Sequence, residues 1–513
     1  MLGVIHKTKV DLDFAVAQTP RGKIRGYWAD EVFGFHGITY ATARRFEMPE
    51  PVLPWSGVKE ALDYGYVCPL MTKESVEATF FGPHRFWPMS EDCLSLNVWT
   101  RQLDEGAGKP VMVWLHGGGF MSGSSIEMYS YDGYQLAHDE DIVVVTVNHR
   151  LNILGYLDLS AFGEKYEYSG IAGMADLVEA LRWVRENIRY FGGDPGNVTI
   201  AGQSGGGSKV AALMQMPAAD GLYHKAIIQS GVPNFMGDVD KNNSMEYGRK
   251  IVKKLGLNAS TIDEIQNIPY EQLVKAAQSL EERCWFVPVP VNDYYAGTYM
   301  QTGFRPETTD IPMIVGSNIS EFSLNGPDGN RDLWSEAEKY AMLRDRFENA
   351  TDSVIAAFTE LYDDRPALNA LSTDSMVRRR TKDFCIARSS AANAPVYNYM
   401  LTYDFPYKGG RQAWHCAEIP FIFRNAHYDL TTSTGGEDVD PLQNAMSGMW
   451  SSFIRTGQPQ VSGLPVWQPF TQEQKYVYIF DKQCYLREKD DGFLLNLLEE
   501  YPPAPSSMMG ARN

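Results

Sequence analysis

Cysteine is scarce. The chain has six in 513 residues and no C-x-x-C pair, so spacing indicates neither a zinc site nor a dithiol redox motif. Long apolar runs are missing too. No segment approaches the roughly 18 apolar residues of a bilayer span. The first ten residues, with Lys7 and Lys9, hold no apolar stretch of the kind a secretory leader carries. A cytoplasmic protein with no membrane partner is expected. Positive charge is in deficit: 46 Lys and Arg against 64 Asp and Glu leave a net −18. That balance argues against nucleic acid or anionic lipid as a partner. No internal repeat recurs. What remains is 44% hydrophobic and long enough for a large core. The motifs below spread across most of that length, so one elaborated catalytic domain over residues 1–513 is expected, with a loose tail from Pro502 to Asn513.

The most informative stretch is Val198-Thr199-Ile200-Ala201-Gly202-Gln203-Ser204-Gly205-Gly206-Gly207. It reads as a β-branched strand, a tight glycine turn, and a helix from near Ser208 to about Met216. Gly202 to Gly206 fits G-x-S-x-G, a turn that lifts a serine hydroxyl clear of the backbone. The chemistry requires this shape, because a serine hydroxyl is a weak nucleophile until a base can reach it. The helix that follows would aim its N-terminal N–H groups at developing negative charge. By itself the pattern is also compatible with a plain strand-to-helix loop.

A second stretch points the same way. Val111-Met112-Val113-Trp114-Leu115 is an apolar strand that runs into His116-Gly117-Gly118-Gly119-Phe120. Successive glycines let backbone N–H groups face a ligand unobstructed, as in an HGGG-type oxyanion loop. Gly118 and Gly119 are the expected donors, with the N–H of Gly205 as a third.

Around these motifs the first hundred residues read as β-rich, with strand candidates at 23–28, 32–38 and 94–99. An irregular aromatic loop, residues 69–90, lies between Cys68 and Cys93. From residue 111 the strands become continuous apolar runs, clearest at Ile142 to Val147, as in a parallel sheet covered on both faces. Residues 172–190 are helical, with Leu177, Leu181, Val184 and Ile188 along one face. Further strands are expected at 225–229, 311–315, 396–401 and 476–480, and helices at 240–283, 331–393 and 441–456.

In a strand–loop architecture of this kind the partners follow in the order serine, acid, histidine. Of nine histidines, only His415 and His427 lie after any plausible acid. His415 sits in a loop after the 396–401 strand and is the preferred base, whereas His427 follows an apolar run and reads as a surface residue. Glu321 sits at the C-terminal end of the 311–315 strand, where an orienting acid belongs. Asp310 is at the other end of that strand, and Asp404 follows the strand that leads to the histidine.

Five segments then make the chain resemble the type-B carboxylesterases, the family that includes cholinesterases and bacterial para-nitrobenzyl esterases. They are Glu91 to Val98 (EDCLSLNV), His116 to Phe120, Asn148-His149-Arg150, Phe191 to Pro195 running into the elbow, and His415-x-x-Glu418. The similarity spans about Pro20 to Phe480. It implies an α/β-hydrolase fold, a large mostly parallel sheet flanked by helices, with a β-rich N-terminal extension and helical insertions. It also implies a Glu as third triad member in the slot of Glu321, buried ion pairs Arg45–Glu91 and Arg150–Asp176, and a disulfide matching Cys68 and Cys93. Neither a cofactor nor a metal is called for.

The chain departs from the family at informative places. Gln203 and Gly205 flank the serine where Glu and Ala are usual, His149 replaces a Tyr, and Pro83 stands where cholinesterases carry a loop Trp. The expected activity is therefore hydrolysis of small, uncharged carboxylic esters through an acyl-enzyme. Phe235, Trp285, Phe286 and Phe322 are candidate pocket walls. An amide or peptide hydrolase with the same triad, or a non-catalytic cholinesterase-like binding protein, are the alternatives. Oligomeric state is not legible.

Overall fold

The computed structural model describes residues 8–9, 14–71, 85–232, 240–282, 285–322, 330–406, 409–429 and 432–502. Its packing divides the chain into two compact units: residues 1–78, 84–228 and 233–311, and residues 79–83, 229–232 and 312–513.

The first unit is built on β1 (Val32–Thr39), β2 (Ser95–Thr100), β3 (Lys109–Leu115), β4 (Val143–Val147), β5 (Gly193–Gln203) and β6 (Lys225–Gln229). In space the order is β1-β2-β4-β3-β5-β6. β1, β2 and β4 pair antiparallel, while β3 runs parallel to both β4 and β5. Every residue of β3 and β4 is buried, which is why these strands read as unbroken apolar runs instead of alternating ones. Helix α1 (Ala172–Asn187) covers them with Leu177, Leu181 and Val184 buried. The Arg150–Asp176 pair lies inside this layer, with side chains 4% and 0% exposed and paired contacts at 2.6 and 2.9 Å. Arg45 and Glu91 also pair, but Glu91 stays one-third exposed, so this pair is rim rather than core.

Helix α2 (Gly205–Leu213) begins directly after Ser204, three residues before the sequence pattern places it. Glycine is a poor helix former, costing about 1 kcal/mol each relative to alanine. Close packing overrides that propensity here. A Cβ on Gly206 would lie 1.9 Å from the Leu115 carbonyl oxygen, so no larger residue fits.

The second unit holds β7 (Met313–Asn318), α3 (Met376–Ala391), β8 (Val396–Leu401), α4 (Val439–Thr456), β9 (Val477–Phe480) and β10 (Tyr485–Arg487). The strand order is β7-β8-β9-β10, parallel except for the final hairpin. The expected face of α4 is buried: Met446, Trp450 and Phe453. Trp450 packs edge-on to Tyr399 at 5.0 Å and to Phe480 at 5.6 Å. Gly457, at φ 80°, ends the helix in a left-handed cap. No helix among the described residues is long and apolar enough to cross a membrane.

A buried charge cluster ties the chain's end to α3. Asp491, 3% exposed, accepts from Arg378 Nε at 2.7 Å, Arg487 Nη2 at 2.8 Å and Lys382 Nζ at 3.2 Å. Burial alone would raise its pKa. The three cations outweigh burial and hold the carboxyl well below the usual carboxylate range. A depressed folded-state pKa stabilises the protein above the unfolded value of about 3.9, and that stability is lost as pH falls through it. Asp491→Asn is therefore expected to lower stability at pH 7 and to flatten the acid limb below about pH 4. Urea unfolding from pH 3 to 8 checks this. Parallel curves for the two proteins would contradict it.

Candidate active site

Ser204 closes β5 and sits at φ 56°, ψ −125°, outside the regions a side chain prefers. Such strain costs on the order of 1–3 kcal/mol and persists only where neighbours enforce it. The enforcing contacts are backbone contacts. A Cβ on Gly205 would meet the Gly119 carbonyl oxygen at 2.2 Å, and one on Gly117 would lie 3.4 Å from the Gln203 carbonyl oxygen and 3.5 Å from Ser204 Cβ. The elbow and the glycine loop are thus in van der Waals contact along their main chains. Gly118 and Gly119 adopt φ 81° and 66°, left-handed conformations that glycine takes without a Cβ penalty. Behind them Met121 N and Ser122 N donate to the Gly118 carbonyl oxygen at 3.2 and 3.1 Å, closing the loop. Ser204 itself is partly exposed at the start of α2, where helical N–H groups lack intrahelical partners.

The histidine half is assembled in the second unit. Glu321 follows β7, fully buried, and its Oε2 lies 2.5 Å from His415 Nδ1. Its other oxygen accepts from Ser230 Oγ at 2.6 Å and from the Asn318 N–H at 2.6 Å. The His415 N–H donates in turn to the Glu321 carbonyl at 3.1 Å, so backbone and side chain both fix the pair. A carboxylate only accepts, so Nδ1 carries the ring proton and Nε2 is left with a lone pair. The Phe322 ring lies 4.1 Å from the His415 ring, tilted by 33°.

Around Glu321 is a shell the sequence did not disclose. Asn318 Nδ2 donates to Glu418 at 2.6 Å and to the Trp414 carbonyl at 2.7 Å. Gln229 bridges Glu418 and the Trp450 indole N–H. Burial first, and then the Glu321 charge, pushes the carboxyls of Asp374 and Glu418 upward, Asp374 to about 8. Ser230, Glu321 and Cys416 are non-glycine residues at φ 49°, 37° and 75°. With Ser204, positive φ therefore marks the candidate residues or their neighbours in both units. The local signal for Ser230 was its place at the end of a β-branched strand, but serine at a strand end is too common to single out.

Other expected residues fall elsewhere. His427 is half exposed and pairs with Asp440 at the surface, 2.6 Å away. Phe286 is 3% exposed and packs edge-on against Tyr247, so it is spent on core packing rather than left open as a wall. Trp285 is 62% exposed. Phe235 lies outside the described residues. Cys68 and Cys93, the pair that matches the family's disulfide, are both buried and carry free thiols in this structure. Their side chains hydrogen-bond, and that contact, together with burial, holds the Cys93 thiol well above its ordinary pKa. Among the described residues no group of three or more His, Cys, Asp or Glu side chains is placed to hold a metal.

Comparison with known proteins bears on this arrangement. The pattern of the Carboxylesterase family matches residues 13–494. Para-nitrobenzyl esterase of Bacillus subtilis is 30% identical over 91% of this chain and 95% of its own length. Phenmedipham hydrolase of Pseudarthrobacter oxydans is 31% identical over 90% and 94%. Among solved structures, an esterase from Clostridium hathewayi described as able to hydrolyse aliphatic aromatic polyesters superposes with a TM-score of 0.90. It is 40% identical, and the match covers 97% of this chain and all of that one. A para-nitrobenzyl esterase structure gives 0.75 at 29% identity over 95% and 99%. The fold is therefore that of the α/β-hydrolases, the activity is hydrolysis of ester bonds, and the chain belongs to the carboxylesterase family.

Proposed function

We propose that Ser204, His415 and Glu321 act as one triad, with the N–H groups of Gly118, Gly119 and Gly205 binding the oxyanion. The observation that carries this reading is the Ser204 backbone, held at φ 56° against Gly119 at the head of α2. Ser204 Oγ attacks the ester carbonyl carbon while His415 Nε2 takes its proton. The carbonyl oxygen gains negative charge and is met by N–H dipoles already fixed in place, which is where most of the rate enhancement of such sites arises. Glu321 keeps Nδ1 protonated and stabilises the imidazolium. The tetrahedral centre collapses, the C–O bond breaks, and His415 returns the proton to the departing alcohol. Water then attacks the acyl carbon, gives a proton to His415, and the acid leaves as Ser204 regains its hydrogen.

The substrate reading is a neutral ester, with aromatic groups favoured. The names of the relatives point to aryl and aromatic substrates. In the first unit a hollow of about 410 Å³ beside Gly123, at the end of the glycine loop, is lined by Val67, Leu70, Met71, Phe86, Trp87 and Met89. Cationic alcohols have less to gain. Gln203, uncharged, stands in the position of a carboxylate next to the serine. The loop Trp of cholinesterases is likewise replaced by Pro83.

Two tests follow. Ser204→Ala is expected to fold and to lose kcat on the order of 10⁴-fold or more, and His415→Ala to match it, because triad members act as a unit. His427→Ala, which loses only a surface pair with Asp440, should stay within about twofold. Steady-state kinetics on a para-nitrophenyl butyrate reads all three, and a fully active Ser204→Ala would remove the nucleophile assignment. The second test is charge selectivity. Cation–π contact is worth about 0.5–2 kcal/mol, and this chain lacks both the carboxylate and the loop Trp that would supply such recognition. A neutral butyryl ester should exceed butyrylcholine in kcat/KM at moderate salt, where the −18 net charge no longer steers cations. A clear advantage for the choline ester would overturn the assignment.

A further inference from the structure

Lys209 sits one turn into α2, four residues after Gly205, and it is wholly buried. Its Nζ donates to the His116 carbonyl oxygen at 2.9 Å. His116 is the residue between the end of β3 and Gly117-Gly118-Gly119. The same peptide region is approached by Gly206, whose Cβ would lie 1.9 Å from Leu115 O and 2.9 Å from His116 O. The helix that carries Ser204 at its head therefore grips the root of the glycine loop twice, once through a missing Cβ and once through a charged donor.

The surroundings of the ammonium are unusual. The rings of His116 and His149 stack, with centroids 5.1 Å apart and planes inclined by 22°. Each Nδ1 lies 2.9 Å from a backbone carbonyl, of Gly117 and of Arg150 respectively. A carbonyl oxygen only accepts, so each Nδ1 carries the proton and each Nε2 is an acceptor. Both Nε2 atoms are buried and have no hydrogen-bond partner among the described residues. Burial, followed by the Lys209 charge, holds both rings well below the usual histidine pKa; His149 lowers His116 further and the Arg150 charge lowers His149, while each ring's bond to a backbone carbonyl acts in the opposite sense. The Phe120 ring centroid lies 5.8 Å from Nζ. Burial brings the lysine down to about 7, while the Glu127 carboxylate acts in the opposite sense. A lysine placed at such a cost in desolvation, on the helix of the candidate nucleophile, has no part in the hydrolytic steps above.

We propose that Lys209 is a positioning residue whose charged form holds the His116 peptide, and with it the Gly117–Gly119 loop, in register with Gly205 for the oxyanion. This rests on the reading above that the loop binds the oxyanion. A charge-assisted bond is shorter and stronger than the same bond from a neutral amine. Loop order is thus greatest while the lysine is protonated, and it is lost as pH rises through the lysine's folded-state value.

The test uses Lys209→Met, which removes the donor, and Lys209→Gln, which keeps a donor without charge. Lys209→Met should lower kcat about 10- to 100-fold with KM within about twofold, because an oxyanion contact is made in the transition state. The ratio of wild-type to Lys209→Gln kcat should be largest near pH 6 and fall toward one above pH 8, a comparison from which every titration common to the two proteins cancels. A pH-independent ratio, or a Lys209→Met variant that is folded and fully active, would overturn the proposal. Should neither variant fold, hydrogen exchange on the unmodified protein decides: amides of residues 116–121, corrected for intrinsic rates, should exchange faster at pH 8 than at pH 6, and equal corrected rates would overturn it. Ser204→Ala run alongside separates the two readings. If it loses activity while Lys209→Met does not, the positioning role alone fails; if it stays active, the reading of the site fails.

Discussion

The constraint on which the site depends is a main-chain collision that only glycine avoids. The peptide ending β3 and the first turn of α2 approach so closely that a Cβ on Gly205 or Gly206 would penetrate the carbonyl of Gly119 or Leu115. This contact fixes the elbow against the glycine loop before any side chain is considered. It also forces Ser204 to carry a positive φ, since the strand must reverse into the helix within one residue. The surrounding parallel strands β3, β4 and β5, buried throughout their central residues, make the contact rigid. Strain at one residue is tolerable because an entire apolar layer over-determines it.

The histidine side is governed by a different interaction, the burial of a carboxylate. Glu321 has no solvent exposure and would be costly to hold without compensation. Three partners supply it: His415 Nδ1, Ser230 Oγ and the Asn318 N–H. The same contacts leave the imidazole no freedom to flip, so orientation and charge stabilisation come from one network. Asn318, Glu418, Gln229 and Trp450 extend that network inward, and burial together with the Glu321 charge pushes the Asp374 and Glu418 carboxyls upward.

Much of this was legible in residues. The glycines at 117–119 and 205–207, the unbroken apolar runs at 111–115 and 143–147, and the Glu and His placed after strands all carry local physical signals. The elbow helix starts three residues earlier than the sequence pattern indicates, because glycine propensity argues for a loop where packing demands glycines inside a helix. Phe286 reads in the sequence as a pocket wall, but nothing local distinguishes a wall from core. Ser230 and Lys209 were not legible either. A serine after a strand and a lysine in a helix are ordinary until burial and partners are known. Cys68 and Cys93 were matched by family pattern, but their oxidation state is not written in spacing.

The central claim is that Ser204 is the residue that becomes acylated. Its most direct test is covalent labelling of the native protein with an organophosphate ester, followed by peptide mass spectrometry and residual activity. One phosphoryl group per chain is expected, on the peptide bearing Ser204, with activity lost in proportion to label. Stoichiometric label at another residue, or full activity with Ser204 modified, would contradict it.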